Sequence, residues 1–399
     1  MEPKKSYIQI AELDQAHTII MHAPLKDPNF GSLHPKAFLY EKQVSFEKAK
    51  KSHNEFVEKL KKYGVEVIKI EDVYANLKRE ELEEIAVNYL KYQFEGDVSD
   101  LTEENKFYIS NEYKRIALST LSVEQLLDII LYQPTVLLQQ KNRDLSSCEI
   151  VHHPNTNLTF TRDQQIVTVH GLVMGSFANH QRKREVQIMR KAFEIMNIEI
   201  KGNVESPGFV EGGDFFPVSK DLSLIGVGCR TNHLGAKYIL DNNLFGTRRV
   251  GFVVDEMDKN IQRMHLDTIF NIVDEKRVVL LDSIMGDSKI RRVVWEYVLI
   301  DNCYQLNRKV EFSEFLKQEG YQIIPISDQQ QREYMLNFLN LGIGSDGKAI
   351  IISVHPDLEK VLREAGFEGI VDYVDYSGIT AMYGAAHCST QVFRTPKKN

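Results

Sequence analysis

No run of about 18 apolar residues occurs anywhere in the 399-residue chain, so a transmembrane helix is not expected. The N-terminus, Met1-Glu2-Pro3-Lys4-Lys5, leads into mixed polar residues without the apolar core of a secretory signal. Cysteine is scarce: Cys148, Cys229, Cys303 and Cys388 are scattered, with no C-x-x-C pair. That spacing fits neither a disulfide framework nor a zinc knuckle, and a reducing, cytoplasmic setting is the simpler expectation. A G-x-G-x-x-G turn after a strand, a Walker loop and an H-E-x-x-H helix are also missing, which lowers the nucleotide-fold and zinc-protease readings. No basic stripe stands out beyond the Lys-rich ends, and the formal net charge is -7. Nucleic acid is therefore not an expected partner, whereas an acidic surface suits a small cationic substrate.

What is present is ample apolar content, 43% of residues, for a buried core. Residues 17–22 read as a buried strand. Residues 45–63 read as a helix with Phe46, Ala49, Phe56, Val57 and Leu60 on one face and Gly64 as its stop, and residues 65–70 alternate as a strand. The character changes over residues 72–150, where Glu, Lys, Leu and Tyr dominate and apolar residues recur at helical spacing in 77–92 and 122–131. This predicts a helical insertion, capped in part by Ser122, whose plain reading is a solvated subdomain with no chemistry of its own. After Pro154 the alternation resumes, with strands expected at 165–170, 222–227, 251–254, 268–273, 277–281, 322–326 and 349–354. Helices are expected at 180–197, 232–242, 310–318 and 357–365. Short β and α units that recur without sequence identity predict one pseudo-symmetric α/β domain made of residues 1–71 and 151–399.

Against that background, separated segments carry chemistry-bearing side chains. Cys388 ends a small-residue loop, Gly384-Ala385-Ala386-His387-Cys388, which would let a substrate approach the sulfur. A lone cysteine is more often a buried, inert one, and nucleophilicity needs a thiolate with positive charge nearby. His265 and Asp267 stand at the head of an expected strand, where residues i and i+2 face the same side, and the imidazole is suited to general acid and base work. A histidine at a strand edge is, however, commonly structural. Glu211 and Asp214 bracket two glycines, an arrangement that is otherwise just an acidic turn. With His265 they also raise a metal site, although the spacing is not specific for one. Asp163 ends 157–163, where alternate residues are again expected to share a face, and a buried aspartate is tolerable against a permanent cation. Arg182 and Arg230 can hold a carboxylate, or can simply be surface charges.

Taken together and in order, Phe160-Thr161-Arg162-Asp163, Glu211-Gly212-Gly213-Asp214, His265-Leu266-Asp267-Thr268 and the near-terminal Cys388 resemble the arginine deiminases of the guanidine-modifying superfamily. The resemblance implies a fivefold pseudo-symmetric α/β propeller of ββαβ-type units with a helical subdomain inserted after the first unit, and no metal or organic cofactor. It implies that free L-arginine is hydrolysed to L-citrulline and ammonia. Cys388 would attack the guanidinium carbon, Asp163 and Asp267 would hold its nitrogens, and His265, oriented by Glu211, would protonate ammonia and then activate water. Asn157, Arg182 and Arg230 match positions that bind the carboxylate end, and Phe160 matches one that packs on the substrate. A homo-oligomer is the expected assembly. The sequence departs from the family pattern at Met382-Tyr383-Gly384-Ala385-Ala386-His387, where several glycines and an arginine are usual, and at Phe38-Leu39-Tyr40-Glu41-Lys42. His387 beside the cysteine makes an amidinotransferase the alternative within the superfamily. A catalytically inactive arginine-binding protein is the alternative outside enzymes. A papain-like protease would carry its cysteine near the mature N-terminus.

Overall fold

The computed structural model describes residues 3–141, 144–258, 260–344 and 347–395. It divides into two compact units, Met1–Ile68 with Asn157–Asn399, and Lys69–Thr156. No helix among the described residues is long and apolar enough to cross a membrane.

The first unit is a mixed α/β fold in which five sheets share one recipe. An entering strand pairs antiparallel with the next strand, a helix follows, and a third strand pairs on the far side of the second. Gln165–Thr168, Gly171–Met174, the helix Lys183–Ile195 and Ile200–Asn203 make one such unit. Phe215–Pro217, Leu222–Val227, His233–Asp241 and Arg249–Val254 make the next. Phe270–Ile272, Arg277–Leu281, Phe312–Gln318 and Gln322–Ile326 make a third, and Leu339–Ile343, Ala349–Ser353, Leu358–Glu364 and Ile370–Tyr373 a fourth. The fifth joins the chain ends: Gln391–Thr395 pairs antiparallel with Gln15–Met21, and the helix Phe46–Lys62 leads to Glu66–Lys69.

Each unit closes a small core because its helix is apolar on one face. Ala49, Phe56, Val57 and Leu60 of Phe46–Lys62 are buried with Ile19, Met21 and Ile352. Full burial of a side chain such as Phe or Leu contributes roughly 1.5–3 kcal/mol. Ser45 starts this helix by accepting from the Lys48 amide, and Gly64, at φ 78°, follows its end.

Several features differ from the expectation, among them the short strands Ile200–Asn203, Phe215–Pro217, Leu339–Ile343, Ile370–Tyr373 and Gln391–Thr395, which were not read. A hairpin, Val293–Ile300 with Cys303–Glu311, extends the second sheet where no strands were read, so the helix expected at 310–318 begins only at Phe312. Its signal was the dipeptide Asp301-Asn302, at φ 49° and 63°, a pair of left-handed residues suited to a tight two-residue turn. The second unit is not helical alone. Besides Arg79–Tyr89 and Val123–Tyr132, the latter with a full capping box between Ser122 and Gln125, it holds a three-stranded sheet of Lys91–Phe94, Thr135–Lys141 and Asp144–Val151. Asp144–Val151 is largely exposed and shows no alternation of burial, so its pattern carries no period of two.

Candidate active site

Seven of the nine predicted site residues sit in turns that lead into the strands opening their sheets; Arg182 ends a 3₁₀ turn before the helix Lys183–Ile195, and Arg230 lies between Leu222–Val227 and the helix His233–Asp241. Residues 157–163 are two successive tight turns rather than the extended segment expected: the Phe160 amide donates to Asn157 O (3.0 Å) and the Asp163 amide to Phe160 O (3.4 Å). A period of three, not two, therefore relates Asn157, Phe160 and Asp163. His265 and Asp267 likewise flank a single 3₁₀ turn, Leu266–Thr268, instead of heading a strand. Glycines make these turns compatible by close approach. A Cβ on Gly212 would lie 2.0 Å from Arg162 O, and one on Gly213 would lie 2.8 Å from His265 Nδ1. A Cβ on Gly384 would fall 2.2 Å from the Phe160 ring, so the loop before Cys388 rests directly on that aromatic.

The turns bring Cys388, His265, Glu211, Asp163 and Asp267 into one buried network. His265 Nε2 meets Glu211 Oε2 at 2.8 Å, and its Nδ1 lies 3.9 Å from Asp163 Oδ1. The Cys388 thiol donates to Asp267 Oδ2 at 3.3 Å, and the same oxygen accepts from His387 Nδ1 at 2.9 Å. One oxygen of each carboxylate, Asp163 Oδ1, Glu211 Oε1 and Asp267 Oδ1, is buried with no hydrogen-bond partner among the described residues. Such acceptors are costly unless something with donors completes them.

These contacts set the protonation states. Burial opposes charge on His265, but Asp163, the hydrogen bond to Glu211 and the Asp214 carboxyl outweigh it, and its pKa is raised to about 10. Burial raises Glu211, yet His265 and the two arginines bring it below the usual carboxylate value. Asp267 is also lowered: burial works against it, and His387 and His265 win. Burial, then the charges of Asp267 and Asp163, push the Cys388 thiol well above its ordinary value. The cysteine is thus a protonated nucleophile awaiting positive charge. Asp214 is pushed up to about 7, chiefly by burial, and its oxygens accept from the Leu266 and Thr231 amides. Asp214 therefore ties the Glu211 turn to the His265 turn.

The three residues matched to a carboxylate end are placed differently. Arg182 is buried: it donates to Asp163 Oδ2 at 2.8 Å, to both Glu185 oxygens at 2.9–3.1 Å and to Asn157 O at 3.4 Å, and lies 4.5 Å over the Phe177 ring. Its donors are largely committed within the protein. Among the described residues Arg230 keeps one long ion pair, 3.9 Å, with Glu211 Oε1. Asn157 donates through Nδ2 to Phe38 O at 2.9 Å, which brings the altered 38–42 segment to the site. Phe160 is buried in the same core cluster as Met382 and Cys388.

Asp163, Glu211 and His265 each present a donor atom within 4.8 Å of the others, a spacing a metal ion can also bridge.

Asn337 was not singled out, and His387 was read only as a departure beside the cysteine, without a role at Asp267. His387 is stacked on Phe216, with ring centroids 5.2 Å apart and planes 7° apart, and holds Asp267. Asn337 contacts the Cys388 sulfur at 3.2 Å. A signal for Asn337 existed in the repeat: Asp163, Glu211, Asp267, Asn337 and Cys388 each lie a few residues before the opening strand of a different sheet.

Comparison with known proteins agrees in kind. The arginine deiminase family model matches residues 36–394. The arginine deiminase of Halobacterium salinarum is 25% identical, with 64% of this chain and 67% of that protein covered. The arginine deiminase of Staphylococcus aureus is 28% identical, with 69% of each covered. Among solved structures, DDAH from Pseudomonas aeruginosa complexed with citrulline superposes with a TM-score of 0.54 at 15% identity, covering 95% of this chain and all of that one. The substrate-bound N-terminal domain of ArgZ, an arginine dihydrolase from cyanobacteria, gives 0.54 at 15% identity, covering 95% and 98%. At that identity the two structures speak for the fold, whereas the family match spans most of the sequence and includes every turn described above: the chain belongs to the arginine deiminase family.

Proposed function

We propose that this chain hydrolyses free L-arginine to L-citrulline and ammonia through a covalent amidino adduct on Cys388. The observation that carries the reading is the set of three buried carboxylate oxygens without a hydrogen-bond partner among the described residues, on Asp163, Glu211 and Asp267, around a cysteine and a cationic histidine. A guanidinium brings five N–H donors in a plane and one positive charge, the complement of that set. Its arrival would also stabilise the Cys388 thiolate, which burial and two carboxylates otherwise oppose.

In the proposed sequence, the Cys388 thiol releases its proton to solvent as the guanidinium cation binds, and the thiolate Sγ then bonds to the guanidinium carbon while Asp163 and Asp267 hold its nitrogens. The carbon–nitrogen bond then breaks, with His265 giving its proton to the departing ammonia. A water takes that place, His265 removes its proton, and the carbon–sulfur bond breaks to release the ureido product and the thiolate. Glu211 holds the imidazole by its 2.8 Å hydrogen bond through both steps. Phe160 would pack on the substrate. Arg230, with Asn157 and the field of Arg182, would attract the carboxylate end; holding both ends orients the carbon for attack. The five ββαβ units are proposed to be arranged as a fivefold pseudo-symmetric propeller, with the insertion outside its catalytic set, which draws no residue from Lys69–Thr156.

The test is incubation with L-arginine alone, beside Cys388→Ser. Citrulline and ammonia in equal amounts, lost in the variant, is the expected result. Product only after glycine is added would replace hydrolysis by amidino transfer, and binding without turnover would leave an arginine-binding protein.

A further inference from the structure

We infer that Asn337 is a catalytic residue of this site: its side-chain amide donates to the Cys388 sulfur and holds the thiolate in place for attack. The inference rests on the proposed role of Cys388 and adds a residue to it.

The orientation of the amide is fixed by its neighbours. Asn337 Nδ2 lies 3.0 Å from Asp267 O and 3.2 Å from Cys388 Sγ, and Oδ1 accepts from the Cys388 amide at 3.2 Å. Turning the group over would set oxygen against a carbonyl and NH₂ against an N–H. The two backbone partners therefore leave the second N–H of Nδ2 for the sulfur. The Asn337 carbonyl completes the clamp by accepting from the His387 amide at 3.2 Å.

The support for this side chain is rigid. Asn337 is 2% exposed, and Met335, Leu336 and Phe338 around it are buried. The turn begins at Tyr334, whose φ of 65° is a left-handed conformation that a bulky residue adopts only under constraint. Tyr334 is in turn held by donating its hydroxyl to Thr380 O at 2.9 Å and Glu41 at 3.2 Å. A cavity lined in part by Glu41, Tyr334 and Tyr383 reaches Asn337.

The chemistry needs such a donor. As a thiol, Cys388 donates to Asp267 Oδ2 and accepts from Asn337. Once the proton leaves, the contact with Asp267 becomes repulsive, and the Asn337 N–H strengthens beside the backbone hydrogen bond from Ala385, which also favours the charged sulfur. Asn337 also fills the turn position that Asp163, Glu211, Asp267 and Cys388 fill in the other sheets.

The experiment follows alkylation of Cys388 by iodoacetamide as a function of pH, read on the Cys388 peptide by mass spectrometry so that the exposed cysteines do not contribute. Losing a hydrogen bond to a charged atom is expected to move the midpoint in Asn337→Ala upward by about one pH unit. The nearly isosteric Asn337→Asp should move it further, by adding charge. Turnover of arginine should fall about tenfold near neutral pH in Asn337→Ala and recover as pH rises, with KM changed less than kcat. A midpoint unmoved in either folded variant would overturn the inference, and Asn337→Asp carries the test should the alanine variant not fold. Alkylation needs no turnover, so a chain inactive on arginine would sink the proposed function while the titration still decides the role of Asn337.

Discussion

The turns that enter the five sheets and the insertion at Lys69–Thr156 handle charge in opposite ways. In the insertion, most acids face water, and some pair locally with bases one turn of helix away or on a neighbouring helix, as Glu103 does with Lys106 and Glu84 with Arg115. Exposed pairs of this kind add little to stability. In the entering turns, Asp163, Glu211 and Asp267 are buried, each with one oxygen left over, and are balanced by His265 and Arg182 across long sequence separations. A fold bears such groups at a cost of order kcal/mol each, and the leftover acceptors mark where a cationic substrate would be held.

The comparison is broken most severely at the nucleophile. Cys388→Ser should lower citrulline formation by on the order of 10³-fold or more without loss of the folded state, measured by product assay and melting temperature. Gly212→Ala should instead destabilise the fold by several kcal/mol, since the added methyl meets the Arg162 carbonyl rather than a movable side chain, and a denaturant melt reads it. Asp267→Asn separates reactivity from catalysis. Removing its charge should lower the Cys388 pKa and speed alkylation at neutral pH, while turnover falls about 100-fold because a guanidinium contact is lost; slower alkylation would contradict the assigned cause.

The His265 shift sharpens the contrast through pH. Its folded pKa of about 10 stands above the ordinary value of 6.5, so its contribution is fully present below 6.5 and is lost as pH rises through about 10. Between those limits the protein should lose stability more steeply than His265→Gln, and parallel melting curves would refute the shift. The smallest effect belongs to the insertion: Glu84→Gln should leave the melting temperature and turnover within error, because the Glu84–Arg115 pair is exposed.

Much of the frame was legible in the chain. The helix at Phe46–Lys62, the strands Leu222–Val227, Arg277–Leu281 and Gln322–Ile326, and the capped helix at Val123–Tyr132 follow from apolar periodicity and capping, which are local properties. The hairpin at 293–311 and the sheet of the insertion were missed although each pairs neighbouring strands, because Cys303–Glu311 and Asp144–Val151 are largely exposed and show no clean alternation. At the site, residue types were readable and geometry was not. His265 and Asp267 come together through a 3₁₀ turn, and Asn157, Phe160 and Asp163 through a period of three, both shaped by hydrogen bonds that one-dimensional patterns do not carry.

By itself, then, the sequence determined the kinds of element, the family pattern and the set of nucleophile, imidazole and acids, since these depend on residue identity and short-range spacing. Only the tertiary structure decided that Arg182 is spent on Asp163 and Glu185, that His387 braces Asp267, and that Asn337 touches the sulfur. Apart from Arg182 with Glu185, those are contacts between segments 19 to 120 residues apart, and charge states such as the raised His265 and Cys388 arise from burial and neighbours that exist only after the sheets have assembled.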